Sequence, residues 1–332
     1  MGLFSYFTEG MSVEVGSYHT RIMKNGMVLL EEPSIVAYRE KHEENRCHYI
    51  CAGNEGLRFD CPADIEYLWP VVGLLANFQA CVFMMSEFKR RLQTSVPRRF
   101  LVATPAYATE VDRRAYKEAI EMAFGRVSGK QYAVSAPVAA VVGLGYDVFD
   151  DSVVHCIVDV GHGMSSVSLV CGGQLLAVKK CGEAGKAFDD KVIEYYKTNG
   201  LLIGLKTARN AKVLLSGGEN ECEVMGRNME DGSPEVRTFA RSEAEHLFDK
   251  NYKRLVERFN DCMKENSLPE KPIHYHLIGG ASQTIGLKEY IENATHCSFY
   301  MPAEPDKVII KGLDKLNTKE NIKRLSMCGS LS

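Results

Sequence analysis

A hairpin with an acid and a glycine at its bend occurs twice in this chain. Met11 opens "MSVEVGSYHTRIMKNGMVLLEEP": an apolar strand that meets Glu14, then Gly16, a second strand, an Asn25-Gly26 turn and a third strand. Cys156 opens "CIVDVGHGMSSVSLVCGGQLLAV", with Asp159, Gly161 and a Gly172-Gly173 turn in the matching places. Asn-Gly and Gly-Gly suit two-residue hairpin turns because both residues tolerate positive φ. A repeated unit with the same punctuation implies two similar halves. Further strand-like runs lie near 99–104 and 131–134. The helical patterns cover 64–92 (broken near Pro70 and Gly73), 110–124, 136–144, 187–196, 206–215, 241–265 and 285–292. This alternation predicts an α/β protein. The polar stretch 216–235 reads as a turn-rich hairpin excursion.

The duplicated bend has a chemical use. Glycine lets backbone N–H groups approach a phosphate with no Cβ in the way. The hydroxyls of Ser17, Thr20, Ser165 and Ser166 stand close in sequence. An acid before each bend can organise hydrated Mg²⁺, which favours carboxylates, water and phosphate oxygens. One such hairpin alone is compatible with an acid at the edge of an ordinary turn; two matched copies predict a phosphate clamp. A third piece, "HYHLIGGASQTIGL" (274–287), ends a strand in Gly279-Gly280 and then turns helical. Glycines there allow close packing against a base or ribose, and a helix start can face phosphate.

Composition narrows the remaining classes. The chain has 332 residues, enough for about two domains. The net charge of −3 gives no basic surface for nucleic acid. No apolar run reaches the roughly 18–20 residues of a membrane span, and "MGLFSYF" does not read as a signal peptide. Eleven scattered cysteines in a chain this size read as reduced, mostly buried thiols. Cys47, Cys51 and Cys61 lack a second ligand pair at zinc spacing, so no metal is expected there.

The two bends and the Gly-Gly loop, taken in order, resemble the actin, heat-shock-chaperone and sugar-kinase ATPase superfamily. Within it the chain is similar to bacterial actins of the MreB type over nearly its whole length, with the magnetosome-filament branch as the neighbouring alternative. Segments 27–40 ("MVLLEEPSIVAYRE"), 97–119, 136–148 ("APVAAVVGLGYDV"), 201–212 ("LLIGLKTARNAK") and 224–235 carry the likeness in the right order. The resemblance implies an actin-like fold: two similar α/β domains around a nucleotide cleft, in four subdomains. Their expected bounds are 1–32 with 68–147 and 305–332 (IA), 33–67 (IB), 148–180 with 243–304 (IIA) and 181–242 (IIB). It also implies ATP or ADP with Mg²⁺, and head-to-tail double filaments at the inner membrane face. Scaffolding of cell-wall synthesis is the usual task, with wall-synthesis membrane proteins or a paralogous actin as partners. Head-to-tail contacts are heterologous and so build open polymers. Carried over, Gly16, Ser17, Tyr18, His19 and Thr20 form the first phosphate loop; Gly161, His162, Gly163, Met164 and Ser165 form the second. Arg209 and Lys212 flank the adenosine, as do Gly279, Gly280, Ala281, Ser282 and Gln283. Glu14 and Asp159 hold the metal, mainly through water.

Three departures bear on activity. Glu14 stands where the family has the shorter Asp, and His162 puts a side chain where the family has glycine; its ring either crowds the bend or points away from it. In "VSAPVAA" (134–140), Ala136 occupies the position of the glutamate that orients the attacking water. Phosphoryl transfer depends on positioning and charge stabilisation, so binding with weak hydrolysis is expected. Leu3, Phe4 and Phe7 form an apolar N-terminal cluster like the family's membrane contact. Without basic neighbours it should bind weakly per copy and rely on polymer avidity. Two other readings remain open: a non-polymerising pseudo-ATPase adaptor, and a small-molecule kinase, for which no sugar-binding insert is visible.

Overall fold

The computed structural model describes residues 10–41, 46–58, 65–92, 97, 99–125, 130–265 and 270–331. The chain first forms β1 (Gly10–Val15), β2 (His19–Lys24), β3 (Met27–Pro33), β4 (Val36–Lys41), β5 (Arg46–Ala52) and α1 (Asn54–Arg58). Short strands β6 (Glu66–Leu68), β7 (Val71–Val72) and β8 (Leu74–Leu75) precede α2 (Phe78–Arg91), β9 (Arg99–Thr104), α3 (Glu110–Phe124), β10 (Gln131–Ser135) and α4 (Ala136–Gly143). The second hairpin copy is β11 (Val154–Val160), β12 (Ser165–Cys171) and β13 (Gln174–Cys181). Then come α5 (Gly185–Thr198), β14 (Leu201–Leu202), α6 (Leu205–Ser216), β15 (Glu221–Asn228), β16 (Pro234–Ala240), α7 (Arg241–Leu247) and α8 (Asp249–Lys264). The chain continues with β17 (Ile273–Ile278), α9 (Leu287–Thr295), α10 (Val308–Leu316) and α11 (Lys319–Met327).

Both expected turns are present with the same backbone. Asn25 and Gly26 have φ of 53° and 78°; Gly172 and Gly173 have 55° and 78°. Positive φ at both central positions matches the right-handed twist of the flanking strands. The repeat read from sequence is therefore also a repeat of conformation.

The chain divides into two compact units. The first holds the described residues up to His155, Ser168–Val178 and those from Lys307 onward; the second holds Cys156–Val167 and Lys179–Asp306. In the first, a five-stranded sheet has the order β10-β9-β1-β2-β3. β1 runs parallel to β9 and antiparallel to β2. Met11 and Val13 of β1 sit in one core with Met84 and Phe88 of α2 and Tyr116 and Ile120 of α3. Ser12, between them in the alternation, accepts from Asn317 Nδ2 at 3.1 Å beyond the end of α10. Helices thus cover both faces, as a central mixed sheet requires. α3 begins with a capping box: Thr109 N donates to Asp112 Oδ2 at 2.8 Å, and Asp112 N to Thr109 Oγ1 at 3.2 Å. α10 packs against α4 at glycines. A Cβ on Gly312 would collide with the Ala139 carbonyl, and one on Gly143 with that of Val308.

In the second unit, β14-β15-β16 form a small antiparallel sheet where the polar hairpin was expected. Phe188 of α5 packs its ring on Phe248 and on Tyr252 of α8, each at 5.6 Å. A four-stranded sheet has the order β13-β12-β11-β17.

Two expected helices differ. The 64–92 pattern becomes helical only at Phe78. Asn77 Oδ1 caps Ala80 N at 2.9 Å, and the Pro70 carbonyl accepts from Ala76 N and Asn77 N, folding 66–76 into short strands. Asp64 lies outside the described residues. The 241–265 pattern splits at the buried Phe248, whose carbonyl accepts from both Asn251 N and Tyr252 N. Among the described residues, no helix is long and apolar enough to cross a membrane.

Candidate functional site

The two bends close in the same way. Gly16 N donates to His19 O at 3.0 Å, and Gly161 N donates to Met164 O at 3.2 Å. A Cβ on either glycine would stand 2.8 Å from the carbonyl oxygen that closes its bend. Both positions are closed to any other residue by that contact alone.

In the first unit, Glu14 sits on β1 opposite Arg21 of β2, which sits opposite Glu31 of β3. The buried guanidinium lies 4.0 Å from Glu14 Oε2, and its Nε donates to Glu31 Oε1 at 2.8 Å. Burial pushes the Glu31 carboxyl up, but the Arg21 hydrogen bond and charge hold it below its ordinary range. The rest of the bend is anchored to its surroundings. Ser17 Oγ accepts from Gly73 N at 2.8 Å, and Tyr107 Oη donates to Gly73 O at 3.0 Å. Tyr18 O accepts from Ser34 N at 2.8 Å, and its ring stacks on Trp69 at 5.7 Å. Thr20 is buried, with its hydroxyl 2.9 Å from that of Ser34.

In the second unit, the start of α5 grips the bend. Gly185 N donates to Gly161 O at 2.9 Å and Lys186 N to His162 O at 2.8 Å. Arg209 and Lys212, one turn apart on α6, both reach Asp189 of α5. Arg209 Nε lies 3.0 Å from Oδ2 and Lys212 Nζ 2.6 Å from Oδ1. The Asp189 side chain is 0% exposed. Lys212 also donates to Gly185 O at 3.0 Å. Burial pushes the Lys212 ammonium below its ordinary range, and Asp189 works against that shift. The His162 ring turns to Arg209, with Nε2 at 3.1 Å from Nη2. The ring is thus engaged with α6.

The third loop folds against the second bend. Gly279 has φ of +88°, donates to Pro305 O at 2.9 Å, and faces the Asp159 carboxylate so closely that a Cβ would strike it. Gly280–Gln283 form a single 3-10 turn in which Ser282 Oγ donates to Gly279 O at 2.6 Å. Ala281 lies beside Gly185, whose added Cβ would stand 3.3 Å from that of Ala281. Ser165 Oγ donates to Glu183 O at 2.6 Å. The hydroxyls of Thr20, Ser165 and Ser282 are thus engaged with protein groups and hold loop shape. Asp159 keeps a partly exposed edge, but protein surrounds its carboxyl, and that desolvation raises it to about 6.

Ala136 is the first residue of α4 and is buried. Beside it, Ser135 Oγ is buried and has no hydrogen-bond partner among the described residues. Asp159 in the second unit is a carboxylate whose charged form burial disfavours, a chemistry that a hard cation held through water would relieve; Glu14 in the first unit is a donor of the same kind. Sequence reading missed Arg21, Glu31, Gly185 and Asp189. Gly185 had a signal, a glycine after β13 at a helix start; the "DD" at 189–190 reads only as a charged helix face. Leu3, Phe4 and Phe7 lie outside the described residues, as does Cys61.

Residues 8–325 match the model of the MreB/Mbl protein family. Cell shape-determining protein Mbl of Bacillus subtilis (strain 168) is 27% identical over 278 residues, covering 80% of this chain and 80% of Mbl. Cell shape-determining protein MreB of Escherichia coli (strain K12) is 28% identical over 242 residues, covering 69% of each chain. The crystal structure of MreB5 of Spiroplasma citri bound to AMPPNP superposes with a TM-score of 0.83 at 20% identity, over 97% of this chain and 98% of that one. The ADP-bound structure gives the same TM-score over 96% and 98%. These likenesses establish the actin-like α/β fold.

Proposed function

The chain belongs to the MreB/Mbl family of bacterial actins, and we propose that it is a nucleotide-dependent, filament-forming cytoskeletal protein that acts in cell shape. The observation that carries this is the pair of equivalent glycine bends, each closed by an N–H to the carbonyl three residues on and each preceded by an acid. Backbone N–H groups at 17–19 and 162–164 take phosphate oxygens of ATP or ADP. Arg209, Lys212 and the loop from Gly279 to Gln283 serve the adenosine side. The two MreB5 structures are bound to AMPPNP and to ADP, which supports nucleotide binding by a chain of this fold. Mg²⁺, held through water by Glu14 and Asp159, neutralises charge on the phosphates.

Hydrolysis is slow in this reading. Ala136 has no group to orient water, and the Ser135 hydroxyl beside it is short and buried. Positioning supplies much of the catalysis of phosphoryl transfer. The subdomain bounds given above stand as part of the same proposal. So do head-to-tail double filaments at the inner membrane face, contact through Leu3, Phe4 and Phe7, and wall-synthesis proteins or a paralogous actin as partners.

The test is sedimentation of the purified chain with ATP, ADP or no nucleotide, with phosphate release followed in the same tubes. Nucleotide-dependent pelleting with little phosphate released is the expected result. No polymer under any condition, with or without lipid vesicles, would sink the filament reading and favour a non-polymerising adaptor. The pairing of Arg21 with Glu14 is the feature most in keeping with that second reading.

A further inference from the structure

His162 occupies the middle of the second bend, between two glycines. Its backbone carbonyl accepts from Lys186 N at 2.8 Å, which ties it to the first turn of α5. Its ring lies over Gly185: a Cβ added there would stand 3.2 Å from Nδ1 and 3.3 Å from the His162 Cα. Its Nε2 lies 3.1 Å from Arg209 Nη2 on α6. A guanidinium only donates hydrogen bonds, so Nε2 is the acceptor and the ring proton sits on Nδ1. Arg209 is itself fixed by α5, through Nε to Asp189 Oδ2 at 3.0 Å. The bonds therefore close a circuit from the bend to α5, from α5 to α6 and from α6 back to the bend, all within the second unit.

We propose that His162 is a positioning residue for nucleotide phosphates: it locks the second bend to Arg209, so that the bend's N–H groups and the guanidinium are presented in one fixed arrangement. This rests on the nucleotide reading above and gives it a device that a run of glycines lacks. Glycine at this position frees the backbone at the cost of order. A site already ordered in the empty protein has less freedom to lose on binding and so binds tighter. Imidazole suits the task because its acceptor sits at the far edge of a rigid ring, within reach of α6. It also suits the space, because the glycine at 185 leaves room for the ring.

The test is ADP affinity of the full chain, by calorimetry, for four proteins besides the unaltered one. His162→Gly and Arg209→Ala should each weaken ADP binding by about tenfold, the worth of one hydrogen bond to a charged group. The double variant should be no more than about twofold weaker than the worse single one, because both break the same link. His162→Gln places an amide oxygen near the position of Nε2 and should recover affinity to within about threefold of the unaltered chain, a rescue that bulk alone does not predict. Equal or tighter ADP binding by His162→Gly, or penalties that simply multiply in the double variant, would overturn the proposal. Imidazole ¹⁵N shifts of the nucleotide-free protein give an independent readout. The Nδ1–H tautomer is expected, and it should be lost in Arg209→Ala. An Nε2–H tautomer in the unaltered chain overturns the link by itself. Absence of ADP binding by the unaltered chain overturns the nucleotide reading and the proposal with it, even when the tautomer is as expected.

Discussion

Asp189 holds two cations from a buried position, and its removal should cost the second unit more than any surface charge. Its side chain is fully buried, with Arg209 and Lys212 on its two oxygens. Asp189→Ala leaves both cations facing each other with no counter-charge. Breaking a buried pair from one side typically costs about 3–5 kcal/mol, and denaturant unfolding should show a loss of that size. Cys81 contributes an alkaline pH dependence to the first unit. It is 1% exposed on α2, and burial raises its thiol from 9.0 to about 12. Between those values the folded chain keeps a proton that the unfolded chain has released. Stability should therefore fall as pH rises above about 9, by roughly 1.4 kcal/mol per pH unit from this group. Cys81→Ala should flatten that alkaline slope in a pH series of thermal melts. The sequence made Gly16, Gly161 and Gly279 readable, because only glycine tolerates the carbonyls and the φ found there. It did not make Asp189 readable, since an acid on an amphipathic helix looks the same whether it meets water or two cations.

At the level of elements, the hairpin turns were legible because their backbone demands particular dipeptides, and the matching φ pairs at 25–26 and 172–173 bear this out. The break expected near Pro70 and Gly73 is present, but the residues around it pair as short strands and the helix begins only at Phe78. The apolar spacing of 66–76 suits a helix, and the two backbone bonds to Pro70 O and the side-chain cap at Asn77 that delay its start are not visible as periodicity. α10 shows the same limit. Gly312 lies mid-helix, where propensity alone makes Gly→Ala stabilising by about 1 kcal/mol. The structure argues the opposite sign, because a Cβ there meets the Ala139 carbonyl on α4, and a backbone carbonyl inside a helix has little room to give. Overpacking of this kind costs about 1–3 kcal/mol. Gly312→Ala should accordingly destabilise the chain in urea unfolding, and a gain in stability would mean that the two helices can part without cost.

For the whole molecule, fold and family were legible because three glycine-marked loops fall in a fixed order along the chain, and each occupies a strand end in the structure. In the proposed function, the rate of nucleotide turnover rests on a smaller feature, the first residue of α4. Ala136 stands where the family resemblance implies a water-orienting glutamate, and it follows a strand, β10, that lies beside β9 and ends in the buried Ser135. Restoring the carboxylate should separate binding from hydrolysis. Ala136→Glu is expected to leave ADP affinity within a few-fold and to raise phosphate release by roughly ten- to a hundredfold, at or below the low end of what a positioned base contributes. If hydrolysis times filament disassembly, polymer formed by this variant with ATP should also shed subunits sooner than that of the unaltered chain, in the same sedimentation assay. The variant's unfolding midpoint must be measured alongside, because Ala136 is buried and a glutamate there must find water or a cation. A folded, ADP-binding Ala136→Glu protein with phosphate release unchanged would show that another departure sets the rate. Glu14, shared with Arg21, would then be the first suspect.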